Sequence, residues 1–205
     1  DQGAWGMQLE LPASEGPFGR VEYEVIEENF NPALGFVNRV GFERRRMWGG
    51  YRWRPMGHSW LRMIQMFGSL EQYDHYQTGA LETRNLFLRP IRVENHRGDR
   101  YSILFRNQRE VLTEPFEISD GISIATGDYQ FRSYEIEFEG APERMISPTF
   151  RAGEGDFYDG TRLQVEGGLD WRPSSRFFFG ASYQYNDIEL PTGNFSTRLI
   201  QLRAN

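Results

Sequence analysis

The sequence has no cysteine, no lysine, only three histidines and no apolar run approaching the length of a membrane helix. Without cysteine there is no disulfide scaffold, no thiolate nucleophile and no cysteine-ligated zinc. A helical span takes roughly 20 predominantly apolar residues, and with a mean hydropathy of −0.64 no segment of this chain qualifies. A membrane β-barrel escapes that exclusion, because its strands alternate in polarity. All 23 basic residues are arginine, and 29 acidic residues bring the net charge to −6. The acidic excess disfavours a general nucleic-acid surface, so no nucleic-acid partner is expected. No basic and apolar leader opens the chain at Asp1, so any secretion signal is expected upstream or already removed.

What the chain does carry is ring surface: 5 Trp, 10 Tyr and 16 Phe, far more than a solvated coil holds. Its hydrophobic period is two almost throughout, broken by turn residues. Strands are expected over 4–12, 19–30, 37–54, 58–72, 79–94, 99–111, 127–139, 144–154, 160–172, 176–187 and 195–204, and no segment reads as an amphipathic helix. Compact turns are signalled near Glu15-Gly16, Met56-Gly57, His96-Arg97, Ala141-Pro142 and Ser174. Longer loops are expected at Asn31 to Phe36, Gln72 to Gly79, Leu112 to Thr126, Gly153 to Gly160 and Asp187 to Asn194. Short and long connections in alternation describe an all-β, antiparallel up-and-down meander with its short turns at one end, the asymmetry of bacterial outer-membrane barrels.

The faces of the strands support pairing registers. Leu163, Val165, Leu169 and Trp171 share a side opposite Arg162, Glu166 and Asp170, and Phe177, Phe179, Tyr183 and Tyr185 share a side in the next strand. Because a one-residue slip mates apolar with polar faces, a three-residue turn over Pro173 to Ser175 is expected, pairing Trp171 with Phe177 and Leu169 with Phe179. A hairpin centred on Pro142 would pair Phe138 with Ile146, Ile136 with Pro148 and Tyr134 with Phe150, with Glu135 and Glu137 on the opposite face. Pro148 lacks a ladder donor, so irregularity is expected there. A soluble β-sandwich or propeller would also alternate, but several strands exceed the usual five or six residues and aromatics gather at strand ends.

Asn29-Phe30-Asn31-Pro32-Ala33-Leu34-Gly35-Phe36-Val37-Asn38-Arg39 resembles an FNPxxGFVxR segment of a domain of unknown function. That domain forms the C-terminal barrel of Gram-negative bacterial proteins carrying a family 9-like carbohydrate-binding domain. Glu114-Pro115-Phe116-Glu117-Ile118, Gly155-Asp156-Phe157-Tyr158-Asp159-Gly160, Trp171-Arg172-Pro173-Ser174, and Tyr185-Asn186-Asp187 before Leu190-Pro191 follow in the same order. The resemblance implies an outer-membrane β-barrel, and it implies that residues 1–205 are part of one, with further strands upstream and downstream. Eleven strands is an odd count, whereas closed bacterial barrels are usually even. The resemblance implies no catalytic residues.

The charges supply the candidate site. With the second hairpin centred on Leu34, Glu24 faces Arg44 and Glu22 faces Arg46, on the side opposite Met47, Tyr51 and Trp53 and shared with Arg52. In a barrel these would line the lumen with Glu135, Glu137, Arg162, Glu166 and Asp170, either stabilising the wall or selecting a solute. Met47, Tyr51, Trp53, Tyr134, Ile136, Phe138, Leu163, Val165, Leu169, Trp171, Phe177, Phe179, Tyr183 and Tyr185 would face lipid.

Other motifs carry less. His58, His75 and His96 lack metal-ligand spacing, Asp74-His75 is only adjacent in sequence, the Gly153 to Gly160 run lacks the EF-hand order, and Arg97-Gly98-Asp99 reads as a turn. No metal or cofactor is expected. The sequence therefore points to a barrel segment in the outer membrane of a Gram-negative bacterium, in contact with lipid and passing or capturing a solute, carbohydrate among the candidates. A soluble all-β carbohydrate-binding or processing domain and a structural barrel anchoring a surface domain are the competing readings.

Overall fold

A computed structural model describes residues 3–30, 40–174 and 176–204. The strands in chain order are β1 (Ala4–Leu11), β2 (Gly16–Ile26), β3 (Phe42–Trp53), β4 (Leu61–His75), β5 (Leu81–Asn95), β6 (Arg100–Leu112), β7 (Phe116–Ser119), β8 (Ile122–Ile124), β9 (Gly127–Glu139), β10 (Ile146–Phe157), β11 (Gly160–Ser174), β12 (Phe177–Leu190) and β13 (Gly193–Ala204). Eleven of them form one antiparallel meander in the order β1 to β6 then β9 to β13, and β7 with β8 forms a separate hairpin. All eleven expected strands are present, and the described residues contain no helix. The sheet is open, with β1 and β13 each paired on one side only.

Pairing follows the parity that the alternating faces demand. Glu22 stands opposite Arg46 and Glu24 opposite Arg44, as expected, although the Leu34 centre and the motif from Asn31 to Arg39 lie outside the described residues. The other two expected registers slide by even steps. Trp171 pairs with Phe179 and Leu169 with Ala181, because β11 continues past Trp171 through an irregularity to pair Ser174 with Phe177; Ser175 lies outside the described residues. Phe150 pairs with Phe138 and Ala152 with Ile136, four residues from the expected register. The wider β9–β10 turn is closed by Gly140 N donating to Pro148 O at 2.7 Å and the Ser147 hydroxyl donating to Ala141 O at 2.7 Å. Pro148 marks the end of the β9–β10 ladder, which starts at Thr149 and Glu139. Even slips keep apolar residues against apolar residues, so the alternation alone cannot distinguish them.

Several expected loops are strand. β10 and β11 meet at a two-residue turn, Tyr158-Asp159, and β12 and β13 at Pro191-Thr192. Gly153 and Gly155 do not open a loop: a β-carbon at either position would overlap β9, so they let strands approach closely. The segment from Leu112 to Thr126 holds the β7–β8 hairpin, turning at Asp120-Gly121, where Gly121 has φ of 73°. Pro90 sits where β5 changes register against both β4 and β6, consistent with its missing donor.

The principal apolar cluster lies under that hairpin. Ile122 and Ile124 pack with Ile188 and Leu190 of β12, flanked by Leu112, Tyr129, Phe157 and Tyr158. The hairpin thus reaches from the β6–β9 connection across the sheet to β12, at the end away from the β5–β6 turn.

Candidate functional site: the charged face of the sheet

The registers place Glu22, Glu24, Arg44, Arg46, Arg52, Glu135, Glu137, Arg162, Glu166 and Asp170 on one face. Met47, Tyr51, Trp53, Tyr134, Ile136, Phe138, Leu163, Val165, Leu169, Trp171, Phe177, Phe179, Tyr183 and Tyr185 lie on the other. Burial is inverted relative to a water-soluble domain, which hides apolar side chains and exposes carboxylates. Glu135 and Glu137 are 7% and 8% exposed, while Ile136 between them is 56% exposed.

Ion pairs run across the charged face from strand to strand. Arg44 reaches Glu24 at 3.1 Å and Glu71 at 3.9 Å, and Arg46 reaches Glu22 at 3.6 Å. Arg20 bridges Glu10 and Glu22, tying β1 into the ladder. Farther along, Arg92 meets Glu139 at 2.7 Å, and Glu94 is held by Arg62 at 3.0 Å and Arg100 at 3.3 Å. On β9, Glu135 contacts Arg106, and Glu137 contacts Arg151 with Arg89 at 3.7 Å. Paired carboxylates avoid the cost of burying isolated charge. Arg52 takes another role: it donates to Ala13 O at 2.7 Å and lies 4.0 Å from the Phe18 ring centre. Asp170 faces Arg203 at 3.4 Å, and Glu166 stands opposite Arg151 in the register.

Sequence reasoning placed Arg151 on the face of Glu135 and Glu137 but did not single out Arg89, Arg92 or Arg106, which need the assembled sheet to come together. It also missed a row of rings on the charged face, Phe18, Trp48, Phe67 and Phe87, with successive centroids 6.0 to 6.3 Å apart. The hairpin did have a signal: Asp-Gly between alternating apolar residues is a strong short-range turn pattern.

The minor motifs serve the connections. Asp99, before β6, accepts from Asn95 at 3.0 Å, Arg144 at 2.7 Å and Ala141 N at 3.2 Å. Those bonds, the Asn95 amide foremost, hold its carboxyl below the usual range. His58 accepts from Leu61 N at 3.1 Å, and a His96 ring nitrogen lies 2.7 Å from His58 O. Asp74 and His75 point to opposite faces: Asp74 meets Arg45 at 2.8 Å, and His75 lies 3.8 Å from Glu28. The Tyr158 hydroxyl, in the turn beneath the hairpin, is pushed up to about 12 by burial and then by the Glu110 carboxylate.

Among the described residues, no three metal-ligating side chains gather into a cluster. No family model, curated protein or solved structure matches the chain.

Proposed function

We propose that the chain is part of the wall of a Gram-negative outer-membrane β-barrel, with its apolar face in lipid and its charged face lining a lumen that passes or captures a polar solute. The observation that carries this reading is the inverted burial: buried, paired glutamates back onto exposed aliphatic and aromatic residues in the same strands. In water such a surface would be costly at about 25 cal/mol per Å² of exposed apolar area; against acyl chains that cost disappears. Carbohydrate is the solute class suggested by the motif resemblance.

Strand length and the layering of the apolar face agree with it. β3 to β6 and β9 to β13 run 12 to 15 residues, and about 9–11 suffice to cross a bilayer. The apolar face turns polar towards one end along the paired row Arg45, Gln72, Arg84, Arg109 and Gln130. Towards the other end, Trp60, Tyr101 and Phe138 form a continuous run of rings 5.1 to 6.3 Å apart, the position of an aromatic girdle.

Single-cysteine spin labels at Ile136, Leu169 and Phe179, against Gln164 and Ser182 on the charged face, test the assignment in liposomes. Lipid-type oxygen accessibility at the first three and aqueous accessibility at the last two is the expected result. A particle that stays monodisperse without detergent, with the first three labels shielded, overturns it in favour of a soluble all-β domain.

A further inference from the structure

Four guanidinium groups from four strands gather on the charged face: Arg89 on β5, Arg106 on β6, Arg151 on β10 and Arg162 on β11. They surround two carboxylates of β9. Glu135 meets Arg106 and lies 3.8 Å from Arg151, and Glu137 meets Arg151 and lies 3.7 Å from Arg89. Even with Glu166, opposite Arg151 in the register, cations exceed anions. The surplus falls on Arg162, which among the described residues has no carboxylate within ion-pair distance and rests 5.1 Å from the Phe157 ring centre.

Neutral donors flank it. Gly153 and Gly155 bring no side chain to this stretch of β10, so Arg162 stands beside Ser133 and Gln164 on the open face; the notch between them, about 10 Å³, is no larger than a single water and is also lined by Glu135, Glu154 and Asp156. The Nε atoms of Arg89 and Arg151 are buried with no hydrogen-bond acceptor among the described residues. Phe157, the ring on which Arg162 rests, also belongs to the apolar cluster under the β7–β8 hairpin. A planar, permanently charged fork without a carboxylate, beside a hydroxyl and an amide, matches the geometry of an oxyanion.

We propose that this arginine cluster binds the oxyanion group of a polar solute, a phosphate or a carboxylate, with Arg162 as the free fork and Ser133 and Gln164 as neutral donors. The inference deepens the lumen reading above and rests on the charged face being open to solute.

The test is isothermal titration of the purified full chain in detergent with inorganic phosphate, and in parallel with acetate, for the parent protein, Arg162→Gln and Arg162→Lys. Binding of phosphate or acetate by the parent is expected, and the stronger probe identifies the source of the oxyanion. Arg162→Gln should weaken it by about tenfold or more, the worth of one charge-assisted pair, and Arg162→Lys should restore part of it. No binding of either probe to the parent, or equal binding to Arg162→Gln, overturns the site. Should Arg162→Gln not refold, Ser133→Ala replaces it, with several-fold weaker binding expected and unchanged binding fatal to the proposal. Spin-label accessibility at Leu169 and Phe179 in the same samples separates the two readings. Lipid exposure without oxyanion binding removes the site and leaves the barrel; aqueous exposure with binding intact removes the barrel and leaves the site.

Discussion

Gly153 stands directly opposite Glu135 across the β9–β10 pair, and a β-carbon at that glycine would overlap the glutamate side chain. The missing side chain is therefore what lets Glu135 lie flat against the sheet within reach of Arg106 and Arg151. Gly153→Ala is expected to destabilise the protein by about 1–3 kcal/mol, the usual cost of overpacking. Chemical denaturation in detergent, followed by tryptophan fluorescence, measures it.

Glu137 joins β9 to both β10 and β5 through Arg151 and Arg89. Removing one member of a buried pair is more damaging than removing both, because it strands the remaining charge. Arg151 keeps 37% of its side chain exposed, so solvent screening reduces the effect. Glu137→Gln should cost about 1–2 kcal/mol, and adding Arg151→Gln should recover part of that loss. A double-mutant cycle with additive effects would show that the two residues are not coupled.

Asp99 ties the β5–β6 turn to the β9–β10 turn through Arg144 and Ala141. Its pKa is depressed in the folded state, chiefly by Asn95. The sign follows from linkage: the stabilisation is fully present above the unfolded carboxyl value of about 3.9 and is lost as pH falls through the lower folded value. Protection of the Ala141, Glu143 and Arg144 amides, measured relative to their intrinsic exchange rates, should fall over that acid range in the parent protein. In Asp99→Asn the protection should be lower at neutral pH and flatter with pH.

Ile124, 2% exposed, fastens the β7–β8 hairpin to Ile188 and Leu190. Ile124→Ala should weaken that docking by about 2–5 kcal/mol while leaving the eleven-strand sheet intact. Limited proteolysis at the Asp120-Gly121 turn should become faster with no change in far-ultraviolet circular dichroism. In the proposed barrel, the undocked hairpin should also raise single-channel conductance.

Leu9 and Leu202, each 78% exposed, mark the two open edges. In a meander of eleven strands the first and last run in the same direction, so β1 could meet β13 only in parallel. Antiparallel closure of the proposed barrel takes an odd number of additional strands, which keeps these edges at least two strand spacings apart, about 10 Å. Double electron–electron resonance between labels at Met7 and Ile200 checks this, and an intrachain disulfide formed by Leu9→Cys with Leu202→Cys would exclude it.

The strands and their faces were legible because both depend on local alternation, and every residue assigned to either face from the pattern lies on that face in the sheet. Register was legible only modulo two residues. The β2–β3 ladder was readable because Glu22 and Glu24 had charged complements at one offset. In β9–β10 and β11–β12 aromatic and aliphatic side chains fit equally well after an even slip, and the turn geometry at Pro148 and Ser174 decided between them. Gly153 and Gly155 were misread as loop because a glycine required by close approach resembles one required by a turn.

The amino-acid sequence by itself determined an antiparallel all-β chain with an apolar and a charged face, since a side-chain period of two has only one structural outcome. Beyond the β2–β3 ladder, tertiary structure decided which charges meet. Arg89 and Arg106 come from strands far from β9 in sequence, and only the accumulated pairing of β5, β6 and β9 carries them to Glu135 and Glu137. It also decided that the β7–β8 hairpin closes over β12, because apolar burial is non-directional and a short isoleucine-rich segment takes whichever apolar surface the finished sheet presents.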